Sequence, residues 1–332
     1  MPLDLLFPNL LPPSDASTGM ESLRLPALER WLAAADIVRV AAPSASDWLA
    51  KEFGLAVPPP IAPIALVAEG QDARGTWMRA DPVHLRLDRE AARLHAAPAL
   101  EIARDEANAL VGVLQAHFRG DGLQFAAPSP ERWYVRLPDG ESPPATAPLA
   151  SVVGRGVQGR LPESRGGLNW RTALTEAQML LGAHEVNALR EAAGRPAINS
   201  LWFWGGGTLP GRVASQYQAI YADDAFARGL GSLSGARLFA MSTTLPDAAP
   251  QERTLSLVDA PARALEHADL AAWRDAAERL DAELFATLHA SIDRIAPVRV
   301  ILPGDKETLV ATLKRPSFLQ RFRSCKAIAA YA

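Results

Sequence analysis

Two short constellations in this chain carry residue types that could do chemistry. The first begins with His184 and Asn187, three positions apart, which a helix presents on one face. It continues through a Gly194-Arg-Pro196 turn into Asn199 and the apolar run Leu201-Trp-Phe-Trp204, then ends in Gly205, Gly206 and Gly207. A strand that runs into a glycine-rich loop is where α/β sheets keep their ligand crevice. An imidazole and two carboxamides placed there can hydrogen-bond a small polar ligand, or equally satisfy the backbone of an irregular crossover. The second constellation is Trp77-Met-Arg79-Ala-Asp81-Pro82-Val-His84. Arg79 and Asp81 alternate along a strand and so share a face, where they pair with each other or hold an anion.

Other motifs fail on their own physics. Gly154-Arg-Gly156-Val-Gln-Gly159 matches the dinucleotide fingerprint, but Pro162, Gly166 and Gly167 forbid the helix that must open at its third glycine, which leaves a loop. The stretch from Gly206 to Gly211 has P-loop spacing, yet Arg212 and Val213 stand where the lysine and the magnesium-binding hydroxyl belong. The histidines at 84, 95, 117, 184, 267 and 289 show no metal-ligand spacing, and Asp223-Asp224 has no histidine near it in sequence. No G-x-S-x-G elbow exists, and Cys325 has no catalytic partner.

The elements that position these residues follow from hydrophobic periodicity. Strands are expected over 3–7, 77–87, 198–204, 236–241, 254–258, 298–302 and 308–313, with a hairpin of 124–125 and 133–137 around Pro128-Ser-Pro130. Pro82 inside the second of these implies an edge or a bulge. Helices are expected over 28–35, from Ser44 or Ser46 to Gly54, over 103–118, 172–193 and 270–292. Alternating strands and helices imply an α/β fold with a mostly parallel sheet and flanking helices. Proline clusters at 58–63 and 138–148 mark linkers.

The 332 residues are 48% hydrophobic and 21% charged, the composition of a folded globular chain with room for two domains. A net charge of −3, with lysine and arginine dispersed, argues against a nucleic-acid partner. A single cysteine excludes an internal disulfide, and no apolar run is long enough to span a membrane. The N-terminus lacks a basic leader, so a cytoplasmic protein is expected.

The run from His184-Glu-Val-Asn187 through Gly194-Arg-Pro196-Ala-Ile-Asn199 into Gly205-Gly206-Gly207 resembles the archaeal-type cofactor-independent phosphoglycerate mutases. Their pattern there is a His-Pro-Val-Asn helix, a Gly-x-Pro-x-x-Asn turn and a strand entering a glycine-rich loop. The chain is most similar to the RpfE-type regulatory proteins grouped beside those mutases. The resemblance covers residues 75–245 and implies an alkaline-phosphatase-like α/β fold with an inserted α+β subdomain. On that basis 1–70 and 197–332 form the core, 75–170 the insertion and 171–196 a connecting helix. Those mutases use two divalent metals and a phosphoryl-accepting serine. Their first metal aspartate follows the N-terminal strand, where this chain reads Phe7-Pro8-Asn9, and their Asp-Thr-Asp-Pro-His segment falls near Ser151-Val-Val-Gly.

The expectation is therefore a non-catalytic relative that acts in regulation by binding a small anionic metabolite. Its ligand-binding residues are Arg79, Asp81, His84, His184, Asn187, Asn199, Trp204, Gly205, Gly206 and Gly207, with no catalytic residue, metal ligand or cofactor assigned. The alternatives are a metal-dependent mutase or phosphatase with rearranged ligands, and a scaffold that binds a protein partner.

Overall fold

The computed structural model describes residues 3–11, 23–87, 92–153, 168–241, 251–267, 269–314 and 325–331. The chain divides into two units, 1–58 with 212–265 and 269–332, and 59–211 with 266–268.

The first unit opens with β1 (Leu3–Leu6), α1 (Pro26–Ala34), β2 (Asp36–Val40) and α2 (Ala45–Glu52). Every position of β1 is buried, the mark of a strand covered on both faces. Pro26 starts α1 with its φ already set, and Leu28, Trp31 and Leu32 form its buried stripe. Ser44 caps α2 by accepting the Asp47 N–H at 3.1 Å.

The chain then builds the second unit: α3 (Ile61–Ala68), β3 (Thr76–Leu87), β4 (Ala92–Ala96), α4 (Arg104–Phe118), β5 (Gln124–Ser129), β6 (Arg132–Arg136), α5 (Trp170–Gly182), α6 (Glu185–Ala192) and β7 (Ser200–Thr208). Its sheet is antiparallel. β3 pairs along one edge with β7, along the other with β6 at 77–79 and β4 at 83–87, and β5 lies outside β6. One face packs Met78, Ala80, Leu201 and Phe203 on Leu110, Leu114, Trp170, Ala177 and Leu181 of the helices.

Pro82 lies at a local sheet edge rather than in a bulge. The Leu85 backbone faces β7's side, where it bonds Asn199, so by alternation the Pro82 nitrogen faces the other way. There it falls in the gap between the β6 and β4 pairings, and its missing N–H costs no ladder bond.

The helix expected over 172–193 is two helices, broken because His184 leaves helical backbone to cap α6. Both belong with the second unit, as does β7, which sequence placed in the core: β7's ladder is with β3. The inserted unit thus runs 59–211 rather than 75–170.

Back in the first unit come β8 (Ala219–Tyr221), α7 (Ala225–Ser234), β9 (Arg237–Phe239), β10 (Thr254–Leu257), α8 (Ala260–Glu266), α9 (Leu270–Arg279), α10 (Ala286–Ile295), β11 (Val298–Pro303) and β12 (Thr308–Leu313). The seven strands lie in the order β2-β12-β11-β1-β10-β8-β9. β11, β1, β10, β8 and β9 are parallel, while β12 runs against both β11 and β2. This is the mostly parallel α/β sheet that the alternation of elements implies.

The helix expected over 270–292 contains a π-helical segment, Leu280–Phe285, between α9 and α10. From it Asp281 reaches the start of α1, accepting the N–H groups of Ala27 at 3.1 Å and Leu28 at 2.8 Å. Leu25, at the N-cap of α1, has no side chain to do this. The core of this unit joins Leu5, Phe7, Trp31, Trp273, Leu284, Leu288 and Val300.

Candidate functional site

The expected ligand residues all fall in the second unit, where they form four separate groups. On one face of β3 and β7 the Arg79 guanidinium donates through Nε (3.0 Å) and Nη2 (2.6 Å) to Asp81 Oδ1. Trp204 donates its indole N–H to Asp81 Oδ2 at 2.6 Å. The guanidinium carbon lies 5.1 Å from the Tyr134 ring centroid and 5.4 Å from that of Trp204, a cation held between two π faces. Tyr134 donates to Glu69 Oε1 at 2.9 Å, and Arg132 donates to the same oxygen at 2.6 Å. Two cations and two carboxylates therefore balance within the cluster. Burial pushes the Asp81 carboxyl up, against the pull of Arg79 and the Trp204 N–H. Burial likewise raises the Tyr134 phenol, which stays neutral and keeps its donor.

Sequence reading missed Glu69, Arg132 and Tyr134. The spacing of Arg132 and Tyr134 on β6 repeats that of Arg79 and Asp81 on β3, and this period of two was the available signal.

The second group ties backbone together. Asn187 donates to the carbonyls of Leu181 (2.7 Å) and Ile198 (2.8 Å) and accepts the Ile198 N–H at 2.7 Å. Asn199 accepts the Leu85 N–H at 2.7 Å and donates to the Leu85 carbonyl at 3.0 Å, continuing the β3–β7 ladder with a side chain. His184 Nδ1 accepts the Val186 N–H at 3.2 Å, which places its proton on Nε2. His184 and Asn187 therefore do not share a helical face.

The three glycines belong to a bulge rather than a ligand loop. Between the pairs Trp77–Gly207 and Arg79–Trp204, β3 has one residue and β7 has two. Gly205 takes φ +63°, and a Cβ on Gly206 would lie 2.5 Å from Pro143 Cβ and 2.9 Å from Met78 Cγ. Close packing, not ligand approach, accounts for these residues.

The fourth group is His84, beside His95. His84 Nδ1 donates to the Ala197 carbonyl at 2.8 Å, and β3–β4 register sets His84 opposite His95 with ring centroids 6.0 Å apart. Residues 154–159, the rejected dinucleotide motif, lie outside the described residues.

The first unit holds a charge cluster that sequence reading did not find. Buried Asp4 accepts from the Tyr217 hydroxyl at 2.6 Å and from both Nε and Nη2 of Arg299, with Arg253 and Glu52 completing the network. Asp4 and Arg299 are second in their strands, and Tyr217 and Arg253 precede theirs. The cluster thus sits toward the amino ends, opposite the edge where α/β sheets bind ligands. Burial and the neighbouring carboxylates push the Tyr217 phenol up, so it remains a donor.

At the carboxyl ends of the strands, Asp259 follows β10 and Asp223 follows β8. Arg263 Nε donates to Asp259 Oδ2 at 2.9 Å, and its Nη2 lies 3.7 Å from Asp223 Oδ2. The Met241 N–H donates to the other Asp223 oxygen at 3.2 Å. After β1, Phe7 is fully buried in the core, and the Asn9 carbonyl accepts the Trp273 indole N–H at 2.9 Å. Among the described residues no three His, Cys, Asp or Glu converge on a point. This donor set does not fit a pair of divalent ions, which need several carboxylates and imidazoles around them.

Over 106 residues the chain is 29% identical to the 2,3-bisphosphoglycerate-independent phosphoglycerate mutase 2 of Methanothermobacter thermautotrophicus. That third of the chain is homologous to a cofactor-independent phosphoglycerate mutase. The matched stretch is 32% of this chain and 26% of that relative's length. No family model matches the chain. The PH0037 protein of Pyrococcus horikoshii aligns over 97% of this chain and 90% of its own, at 14% identity and a TM-score of 0.55. The two proteins share a fold. The cofactor-independent phosphoglycerate mutase of Thermoplasma acidophilum aligns over 98% of this chain and 96% of its own, at 17% identity and a TM-score of 0.43.

Proposed function

We propose that this chain is a non-catalytic relative of the cofactor-independent phosphoglycerate mutases, of the RpfE-type regulatory branch, and acts by binding a small anionic metabolite. One observation carries the reading. At the carboxyl edge of the parallel sheet, where a substrate or metal would sit, Asp223 and Asp259 are already served by the chain's own Arg263. The Arg263 guanidinium lies between the two carboxylates and offsets part of the charge that would otherwise draw a divalent cation. Most of the expected ligand residues are engaged within the protein. Asn187, Asn199 and the Arg79–Asp81 pair spend their hydrogen bonds inside the protein, and His84 keeps a ring nitrogen beyond its carbonyl contact.

The test is to incubate purified protein with Mn²⁺ and 3-phosphoglycerate while following both product and melting temperature. The reading expects no 2-phosphoglycerate above background and a Tm that rises with ligand concentration as mass action requires. Sustained turnover, or two divalent ions retained per chain through purification, would overturn it.

A further inference from the structure

β2 ends the seven-stranded sheet, and among the described residues only β12 pairs with it. Asp36, Ile37, Val38 and Arg39 are exposed, whereas β1 at the centre of the same sheet is buried throughout. Ile37 is 37% exposed and Val38 61%. The open N–H and C=O groups of an edge strand template pairing with another chain, and proteins blunt such edges with proline, bulges or unpaired charge. Asp36-Ile-Val-Arg-Val40 contains no proline or glycine, and its five pairs with β12 run without a register shift. Its one cation, Arg39, is answered by Glu307 of the same chain at 2.8 Å.

The sheet's own ladders decide which backbone groups of β2 point outward. The Leu3 N–H donates to the Pro297 carbonyl and the Phe7 N–H to that of Ile301, so the odd-numbered residues of β11 face β1. Val298, Val300 and Leu302 therefore face β12, opposite Leu313, Ala311 and Leu309. That leaves Thr308, Val310 and Thr312 to bond β2. The β11–β12 turn agrees: the Gly304 N–H donates to the Glu307 carbonyl, and the next pair, Pro303 with Thr308, is a position that needs no proline N–H. Val40, Val38 and Asp36 are thus bonded to β12, and the backbone of Ile37 and Arg39 faces away from the sheet. No other described residue bonds those outward groups.

We infer that β2 is the contact through which two copies of this chain associate, the strand pairing antiparallel with itself about Val38. In this register Ile37 of each copy stands opposite Arg39 of the other, and each such pair exchanges both of its backbone bonds. A slip of one residue sets outward groups against inward ones. A slip of two calls on the Ala35 N–H, which already bonds Trp31, or on the Ala41 carbonyl, which already accepts from Lys51. Val38 meets its own counterpart at a non-bonded pair, where side chains come closest. No like charges stand opposite each other: Asp36 faces Val40, and Arg39, balanced by Glu307, lays its stem along Ile37. The contact joins two sheets edge to edge and is small, so the dimer dissociates on dilution. This interface goes beyond the metabolite binding proposed above and does not depend on it.

Analytical ultracentrifugation of the full chain from about 1 µM to about 1 mM tests this. The average mass of the parent should climb from that of one chain toward that of two. Val38→Lys and Val38→Glu each set like charges opposite at the symmetry axis and should weaken association about tenfold or more. Their circular dichroism and Tm should match the parent, because the side chain is exposed. An equimolar mixture of the two variants should associate again, lysine against glutamate. Hydrogen exchange at the Ile37 and Arg39 amides should slow as the parent's concentration rises. A parent that stays monomeric throughout or grows past the dimer, variants that associate as it does, a mixture no tighter than either variant alone, or Ile37 and Arg39 amides already protected in the dilute monomer would each overturn the interface.

Discussion

Trp204 reaches diagonally across the β3–β7 pair to Asp81, joined by an indole N–H to carboxylate bond of 2.6 Å that also sets the wall of the Arg79 cation cage. Asp81 is 1% exposed, so the bond lies where water cannot replace it. Asp81→Ala strands the buried guanidinium and should cost about 3–5 kcal/mol in urea unfolding. Trp204→Phe removes one donor and should cost less, about 1–3 kcal/mol. Equal, negligible costs for both would show that the cluster is not coupled as described.

Gly206→Ala places a methyl 2.5 Å from Pro143 Cβ, and neither the ring nor Met78 can withdraw without moving the bulge. A loss of about 1–3 kcal/mol is expected. Gly211→Ala meets nothing within 4 Å and should stay within about 0.5 kcal/mol of the parent. Thermal melts of the two variants side by side make the comparison.

Removing the Asn199 side chain takes away both bonds to Leu85 and exposes the far end of the β3–β7 ladder to fraying. Asn199→Ala should cost about 1–3 kcal/mol, and hydrogen exchange should quicken first at Leu85. Unaltered protection at Leu85 would contradict this clamp.

Asp281 provides the cap that α1 lacks on its own chain, so Asp281→Ala should destabilise by about 1–2 kcal/mol and lower the helical content of the first unit. Asp281→Asn retains one acceptor and should fall between the two. Calorimetric unfolding of the three proteins gives the order.

Glu29 supplies a pH signature. Burial alone would raise its carboxyl, but bonds from Arg24 and from the N–H groups of Ile328 and Leu25 outweigh this and hold it below the ordinary value of 4.5. A lowered acid stabilises the fold fully above its unfolded value and loses that contribution as pH falls through the folded one. The parent should therefore lose stability on acidification more steeply below pH 4.5 than Glu29→Gln. Parallel acid limbs for the two proteins would refute the assignment.

The periodic parts of the fold were legible in the sequence. The stripe Ala107, Leu110, Leu114 and Phe118 gives α4 at once, because period 3.6 is a local property. The break at His184 was hidden because the helical pattern continues in phase on both sides, and imidazole is an uncommon cap. β7 was placed in the wrong sheet because strand pairing depends on partners more than a hundred residues away. The same limit concealed the bond from Arg299 to Asp4, separated by 295 positions. At the site, alternation put Arg79 and Asp81 on one face but left open whether they pair with each other or hold an anion. The carboxamides of Asn187 and Asn199 carry no sequence mark that tells a backbone clamp from a ligand contact.

The order of the strands has a consequence for synthesis. β1 emerges long before both its neighbours, β10 and β11, which begin at Thr254 and Val298. At about 5–20 residues per second, a ribosome leaves that fully apolar-flanked strand waiting for roughly 10–50 s, while nearly all of the inserted unit leaves the tunnel as one continuous piece. Leu3, Leu5 and Leu6 therefore wait for their sheet partners through the synthesis of the intervening chain.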